Sequence, residues 1–465
     1  MAAIESTPPI GSRLDSPTTE ARTPRWRKWL RRGWWLFLRL LLVVLFLVWW
    51  IVLRLEEHDS WPPPADAVSA SQAQAVTEEF LGQDDVAIHD LAIPLATSTA
   101  DSVELFSDGT QFFPPMADDM TAAESSIHIL VFTITPGQVA DRLVSILTER
   151  AAAGVEVRII VDRYGAKVDD RSQPIFEALT AAGVEVVVND IFPIDQDGLL
   201  GDRSVDPWQD EVGNADHRKM LVIDGQVGWI GGAGFEDHFY DGRYHDAFVR
   251  VTGDVVRQMQ LVFLTSYHVI GGPPPAAGLD RYFPAPDVPG SIPATLLHNV
   301  PGGFVPGTQA IGEVLEGAQE RLDILNPYLT DPDMLDRIID AGERGVEVRV
   351  VLPGDSNVTQ ARDAAEHNYG DLFDAGVDIY EHETIIHSKV IVADDRVVIG
   401  TINFDSWALY RNHEIAIMFE DAGVADDAHQ VLVEDAISRA EPAQLPEGFW
   451  NRVQNWFWDK LVYFI

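Results

Sequence analysis

The chain has 465 residues, 46% hydrophobic and 23% charged, ordinary values for a folded protein with room for two or three domain-sized units. The charge balance is not ordinary: 33 Lys+Arg stand against 73 Asp+Glu, and the excess of acid lies beyond Arg54, where 24 bases face 70 acids. A body this acidic should repel nucleic acid over most of its surface, and a chain without cysteine has neither disulfides nor thiolate chemistry.

Residues 1–33 read as a disordered tail, rich in Pro, Ser and Thr and turning basic at Arg25-Trp26-Arg27-Lys28. An apolar run from Trp34 to Leu53 follows, long enough for a helix to cross a bilayer, so a transmembrane helix is expected over 34–54. Its single charge, Arg39, lies near the start, and Trp34, Trp35, Trp49 and Trp50 mark the two ends as interfacial aromatics do. Basic residues precede the run and Glu56, Glu57 and Asp59 follow it, which predicts a cytoplasmic N-terminus and an extracytoplasmic body at the cell membrane. The small-residue triplet Ala65-Asp66-Ala67 falls too far beyond the run for a cleaved leader, so a retained single-pass anchor is the better reading.

Residues 55–100, opening with Trp61-Pro62-Pro63-Pro64, read as a linker. Two similar stretches follow, 101–270 and 293–425, separated by a Pro/Gly-rich break at 271–292. In the first, a strand at 126–132 is followed by a helix from Gln138 to Ala153 and a strand Gly154–Asp162. A helix Ile175–Ala182 and a strand Val184–Val188 come next. The second gives the same series: strand 321–325, helix Asp333–Glu343, strand Gly345–Leu352, helix Ala364–Asp374 and strand Val377–Tyr380. Gly-Val-Glu-Val-Arg occurs at the matching place in both. The alternation predicts an α/β layered fold, and the ordered match predicts duplication.

After the third strand each stretch carries His-x-Lys-x-x-x-x-Asp: His217, Lys219 and Asp224 in one, His387, Lys389 and Asp394 in the other. On a strand, residues two apart share a face, so each His and its Lys are expected to project together. Two convergent pairs would place two imidazoles and two ammonium groups around one anionic group. Lysine is scarce here, with five in the whole chain, and two of the five occupy equivalent motif positions.

The paired pattern resembles the HKD motifs of the phospholipase D superfamily, over roughly residues 101–425, and most closely bacterial cardiolipin synthases. Gly400-Thr401-Ile402-Asn403-Phe404-Asp405 with Asn412-His413-Glu414 is similar to the tail of their second motif, and Asn326-Pro327-Tyr328 to their Pro-Tyr strand end. The resemblance implies a membrane-anchored phosphatidyltransferase or phospholipase acting on phospholipid. In that mechanism His217 attacks phosphorus to form a phosphohistidine, and His387 protonates the leaving alkoxide. Lys219 and Lys389 hold the non-bridging oxygens, Asn403 donates a further hydrogen bond, and no metal or other cofactor is expected. Glu414 would orient His217 and Asp246 would orient His387, each from the opposite repeat, while Asp224 and Asp394 brace the turns after the motif strands. The first repeat departs from the pattern with Gly234 where the second has Asn403.

Two other functions compete: a phosphodiesterase or nuclease of the same superfamily, which the acidic body disfavours, and a non-catalytic lipid-binding scaffold, which the intact His and Lys disfavour. The segment 426–465 is expected to be helical. Its aromatic end, from Phe449 to Ile465, suits either a lipid interface or packing on the body.

Overall fold

The computed structural model describes residues 66–166, 168, 170–190, 215–275, 278–285, 290–445 and 448–459. The basic tail and the expected anchor at 34–54 lie outside these residues, as do 55–65 of the linker. Among the described residues no helix is long and apolar enough to cross a membrane.

Up to the Pro/Gly-rich break the chain forms β1 (Ser98–Ala100), β2 (Ser102–Phe106), β3 (Ser126–Val131), β4 (Glu156–Asp162) and β5 (Glu185–Asn189), then β6 (Met220–Ile223), β7 (Val227–Gly231), β8 (Tyr244–His245) and β9 (Phe248–Thr252). Beyond it come β10 (Ile292–Asn299), β11 (Arg321–Leu325), β12 (Glu347–Pro353), β13 (Asp378–His382) and β14 (Ile385–Ile386), then β15 (Val390–Ala393), β16 (Arg396–Gly400), β17 (Glu414–Glu420) and β18 (Ala440–Pro442). One sheet has the order β2-β9-β7-β6-β3-β4-β5. The other repeats that succession as β10-β17-β16-β15-β11-β12-β13, with β1 and β18 added at its edges. In both, the three strands joined by helices run parallel, and the motif strand (β6 or β15) runs antiparallel to the first of them. β3 is buried along its whole length, as a strand covered on both faces must be, its polar Ser126 and His128 included.

The expected helix-to-strand junctions are placed within a few residues. Gly154 and Gly345, read as strand starts, instead adopt φ of +91° and +88°; they end the preceding helices in the left-handed conformation that glycine tolerates. The helix expected over Ala364–Asp374 is two, Thr359–His367 and Tyr369–Asp374, broken at Asn368, whose side-chain amide turns back to the Ala364 carbonyl.

The linker reading fails from Asp66 onward. Residues 73–81 form a helix, Val68 bridges Leu95, and β1 and β2 each extend a sheet. The cause is apolar: Phe80, Ile88 and Leu91 are buried together with Val300.

The largest core cluster joins the two sheets. It takes Leu130, Ile160, Met220 and Val249 from one, and Val351, Val390, Ile399 and Ile415 from the other. Helix Val255–Val269 contributes to the same cluster, buried at every residue from Leu261 to Tyr267. Separate clusters fill the outer side of each sheet beneath its helices. This packing brings the lead-ins to β6 and β15 together.

Candidate active site

His217 and Lys219 precede β6, and His387 and Lys389 precede β15, so the motifs lie just before the ladder-paired strands rather than on them. The reason is a change of partner. Asp216 makes a parallel bridge with His413, and His217 N–H donates to the His413 carbonyl at 2.9 Å. In the mirrored arrangement β14 runs parallel with β8, and His387 N–H donates to the His245 carbonyl at 2.6 Å. Each motif therefore leaves its own sheet and pairs with a segment of the other repeat.

That segment carries a carboxylate. Glu414 follows His413, and its two oxygens lie 3.0 and 3.1 Å from His217 Nδ1; Asp246 follows His245, with Oδ2 2.7 Å from His387 Nδ1. Both carboxylates are fully buried. Glu414 also accepts hydrogen bonds from the Thr401 hydroxyl and, at 3.1 Å, from the Asn412 amide. Asp246 has a different support, the Ala247 N–H at 2.7 Å, because Gly232 replaces Thr401. A Cβ at 232 would fall 2.4 Å from Asp246 Oδ1, so glycine is what lets the shorter acid fit. With Nδ1–H held by a carboxylate, each imidazole presents Nε2 as its free nitrogen.

Each lysine ammonium donates to the backbone carbonyl of its own histidine, Lys219 at 2.7 Å to His217 and Lys389 likewise to His387. Lys219 also lies 4.9 Å from the centre of the Phe132 ring, whose edge meets His217. Phe239 packs against His387 at 5.3 Å.

The electrostatics join the four groups. Burial, then Lys219 and Lys389, hold the His217 imidazole well below its usual range; burial and the same lysines do so for His387. Burial brings the Lys219 ammonium down to about 7 and that of Lys389 to about 8, opposed by Glu414 and Asp246. Burial raises Asp246 to about 7 and Glu414 to about 8, and the two lysines oppose that rise. An arriving phosphodiester anion would favour the charged lysines and imidazolium alike.

Asn403 is buried, and its Oδ1 has no hydrogen-bond partner among the described residues. The corresponding space in the first repeat is taken: a Cβ at Gly234 would come 1.9 Å from Thr133 Oγ1, and Thr133 donates to Glu236 at 2.7 Å. The departure at 234 is thus filled by a hydroxyl from the loop after β3.

Asp224 and Asp394 stand apart from the histidines, in the turns after β6 and β15, with φ of +54° and +51°. Asp224 accepts from the backbone N–H groups of Glu124, Ser125 and Ser126, and Asp394 from those of Gln319, Glu320 and Arg321. Their carboxylates hold the lead-ins to β3 and β11.

Sequence reasoning missed one buried cluster behind His217. Arg218 pairs with Asp216 at 2.7 and 2.8 Å and donates to Ser266 at 2.9 Å, while the Asp216 N–H donates to Asp162 Oδ2. Despite complete burial, Arg218 draws the Asp216 carboxyl down to about 2. The second repeat has Ser388 in place of Arg218, bonded to His245 Nδ1 at 3.0 Å, so no repeated pattern flagged the pair.

A family model described as "Cardiolipin synthase, PLD-like domain" matches residues 116–265 and 311–435, one motif in each stretch and more than half of the chain together. The chain belongs to that family. With membership comes the enzyme class, a phospholipase D-type phosphatidyltransferase or phosphodiesterase. Among curated relatives, cardiolipin synthase 2 of Staphylococcus epidermidis is 28% identical over 354 residues, covering 73% of this chain and 68% of its own. The minor cardiolipin synthase of Bacillus subtilis is 25% identical over 388 residues, covering 80% and 91%. The crystal structure of phosphatidylserine synthase from Haemophilus influenzae matches in fold, with TM-score 0.61 at 12% identity, covering 83% of this chain and 99% of that one.

Proposed function

We propose that this family member is a membrane-anchored phosphatidyltransferase that makes cardiolipin-type products through a phosphohistidine on His217. The observation that carries the reading is the crossed pairing of His217 with Glu414 and of His387 with Asp246, two oriented imidazoles flanked by two buried lysines. The repeats are read as two halves related by a pseudo-twofold axis, with the phosphate on it. The apolar run 34–54 is read as the anchor, with the catalytic body outside the cytoplasm.

In the first step His217 Nε2 attacks phosphorus, the bond to the departing headgroup oxygen breaks, and His387 imidazolium protonates that oxygen. In the second, neutral His387 takes the proton from an acceptor hydroxyl, that oxygen attacks phosphorus, and the bond to His217 breaks. Lys219, Lys389 and the Asn403 amide stabilise the non-bridging oxygens as charge gathers on them. Glu414 and Asp246 keep both imidazoles in the tautomer the chemistry needs. With the glycerol of a second phosphatidylglycerol as acceptor the product is cardiolipin; with water it is phosphatidic acid.

The test is to supply phosphatidylglycerol to the purified full-length protein and resolve the lipids by mass spectrometry. Cardiolipin with free glycerol, absent with His217→Ala, is the expected result. Formation of neither cardiolipin nor phosphatidic acid overturns the reading. Cleavage of single-stranded DNA that depends on His217 would favour the nuclease alternative.

A further inference from the structure

Helix Phe449–Asp459 is attached to the body by its polar side. Gln454 donates to Asp363 at 2.7 Å, Asn455 to Glu366 at 3.1 Å, and Asn368 to Asp459 at 3.3 Å. Among the residues of the helix whose side chains are described, Asn455 is buried and Trp458 half-buried, whereas Val453, Trp456 and Phe457 are 39%, 52% and 49% exposed. A surface helix of a water-soluble body normally does the reverse, turning its apolar stripe inward.

The exposure is local. Among the described residues six large apolar side chains are exposed, and four of them, Leu445, Val453, Trp456 and Phe457, fall within this one segment. In sequence the aromatic run opens at Phe449-Trp450 and continues past Trp458 through Leu461-Val462-Tyr463-Phe464-Ile465. Trp, Phe and Tyr in this density suit the headgroup level of a bilayer, where the rings meet the acyl boundary. Asp363 and Glu366 lie beneath the helix, and Glu366 is paired with Arg362 at 3.0 Å, so polar contacts hold the helix to the body while the exposed face is apolar.

We propose that the Val453–Trp456–Phe457 face inserts into the lipid interface by apolar burial, as a second membrane contact independent of residues 34–54. The occupant is inferred on the lipid-enzyme reading above; the geometry of the face is not.

The absence of cysteine makes the test clean, since Val453→Cys gives the full-length chain a single thiol for an environment-sensitive fluorophore. Vesicles of phosphatidylcholine with phosphatidylglycerol should shift its emission to the blue, a spin-labelled acyl chain should quench it, and added salt should change neither. A control label at exposed Glu177 should stay in water. Trp456→Ser with Phe457→Ser should abolish the shift and lower turnover of vesicle lipid about tenfold or more, while sparing a soluble short-chain phosphatidylglycerol. A Val453 label that remains in water while vesicle lipid is turned over would overturn the proposal. So would a shift that follows protein concentration without vesicles, which would assign the face to a second copy of the chain. Insertion without any lipid turnover would sink the enzymatic reading and leave this one standing.

Discussion

His217 Nδ1 lies 3.0 Å from Oε1 of Glu414, a residue 197 positions further along the chain, and the backbone of the same histidine is tied to the residue before that acid. The ring and main chain of one repeat are thus fixed by consecutive residues of the other. His387 and Asp246 repeat the arrangement in reverse. A single repeat would own an imidazole with no carboxylate to orient it.

Replacing Glu414 by Gln tests that dependence. Glutamine can present its amide hydrogens to Nδ1 and favour the tautomer that leaves Nε2 protonated. The expected loss in kcat is about 10²- to 10⁴-fold, with KM little changed. Steady-state assays on short-chain phospholipid measure both. Activity within a factor of two of wild type would remove Glu414 from the mechanism.

The pH profile follows from the buried lysines. Lys219 and Lys389 lose their protons near 7 and 8, so phosphate capture by the free enzyme should weaken as pH rises through those values. On the other side Asp246, raised to about 7, and Glu414, raised to about 8, become protonated as pH falls and stop accepting from His387 and His217. A narrow maximum in kcat/KM near neutrality is expected. The alkaline limb of kcat should lie at higher pH than that of kcat/KM, because bound phosphodiester keeps the lysines charged. A kcat/KM profile flat between about pH 6 and 9 would contradict the assignment.

Asp224 and Asp394 should behave as stability residues. Asp224→Ala removes the acceptor for three backbone N–H groups and leaves alanine at a φ of +54°. A loss of about 2–4 kcal/mol is expected from urea unfolding, with kcat of the folded protein retained. If kcat collapsed as it should for His217→Ala while stability held, the aspartate would belong to the chemistry instead.

Arg218→Leu should be among the more destabilising single changes. It strands the Asp216 carboxylate, fully buried and next to His217, at a cost of about 3–5 kcal/mol. Adding Asp216→Asn should recover part of that loss, since the unpaired charge is then gone. The two unfolding midpoints measure the difference.

Some features were legible in order and type but shifted in detail. The helix-to-strand series of both repeats follows from apolar runs and turn residues, and its edges moved by a few residues, at Gly154 and Gly345 because glycine ends the preceding helix in the left-handed region. The lead-in at residues 66–100 reads as linker because it is rich in alanine and follows Trp61-Pro62-Pro63-Pro64; Phe80, Ile88 and Leu91 declare themselves only against Val300, more than two hundred positions away. The Asp216–Arg218 pair was invisible for a related reason: a charged pair two residues apart looks solvated until the sheet and helix Val255–Val269 close over it.

Periodicity and repetition along the chain are local properties, and they determined the α/β series and the paired His/Lys motifs, while Glu414 and Asp246 as orienting acids came from the family resemblance. Tertiary structure alone decided how deeply the two imidazole–carboxylate pairs are buried, that Thr133 fills the space beside Gly234, and that Trp456 and Phe457 face outward. These are relations between side chains brought together from distant positions. Composition and spacing list the groups, but burial and distance, which set their charge and direction, exist only once the two sheets pack.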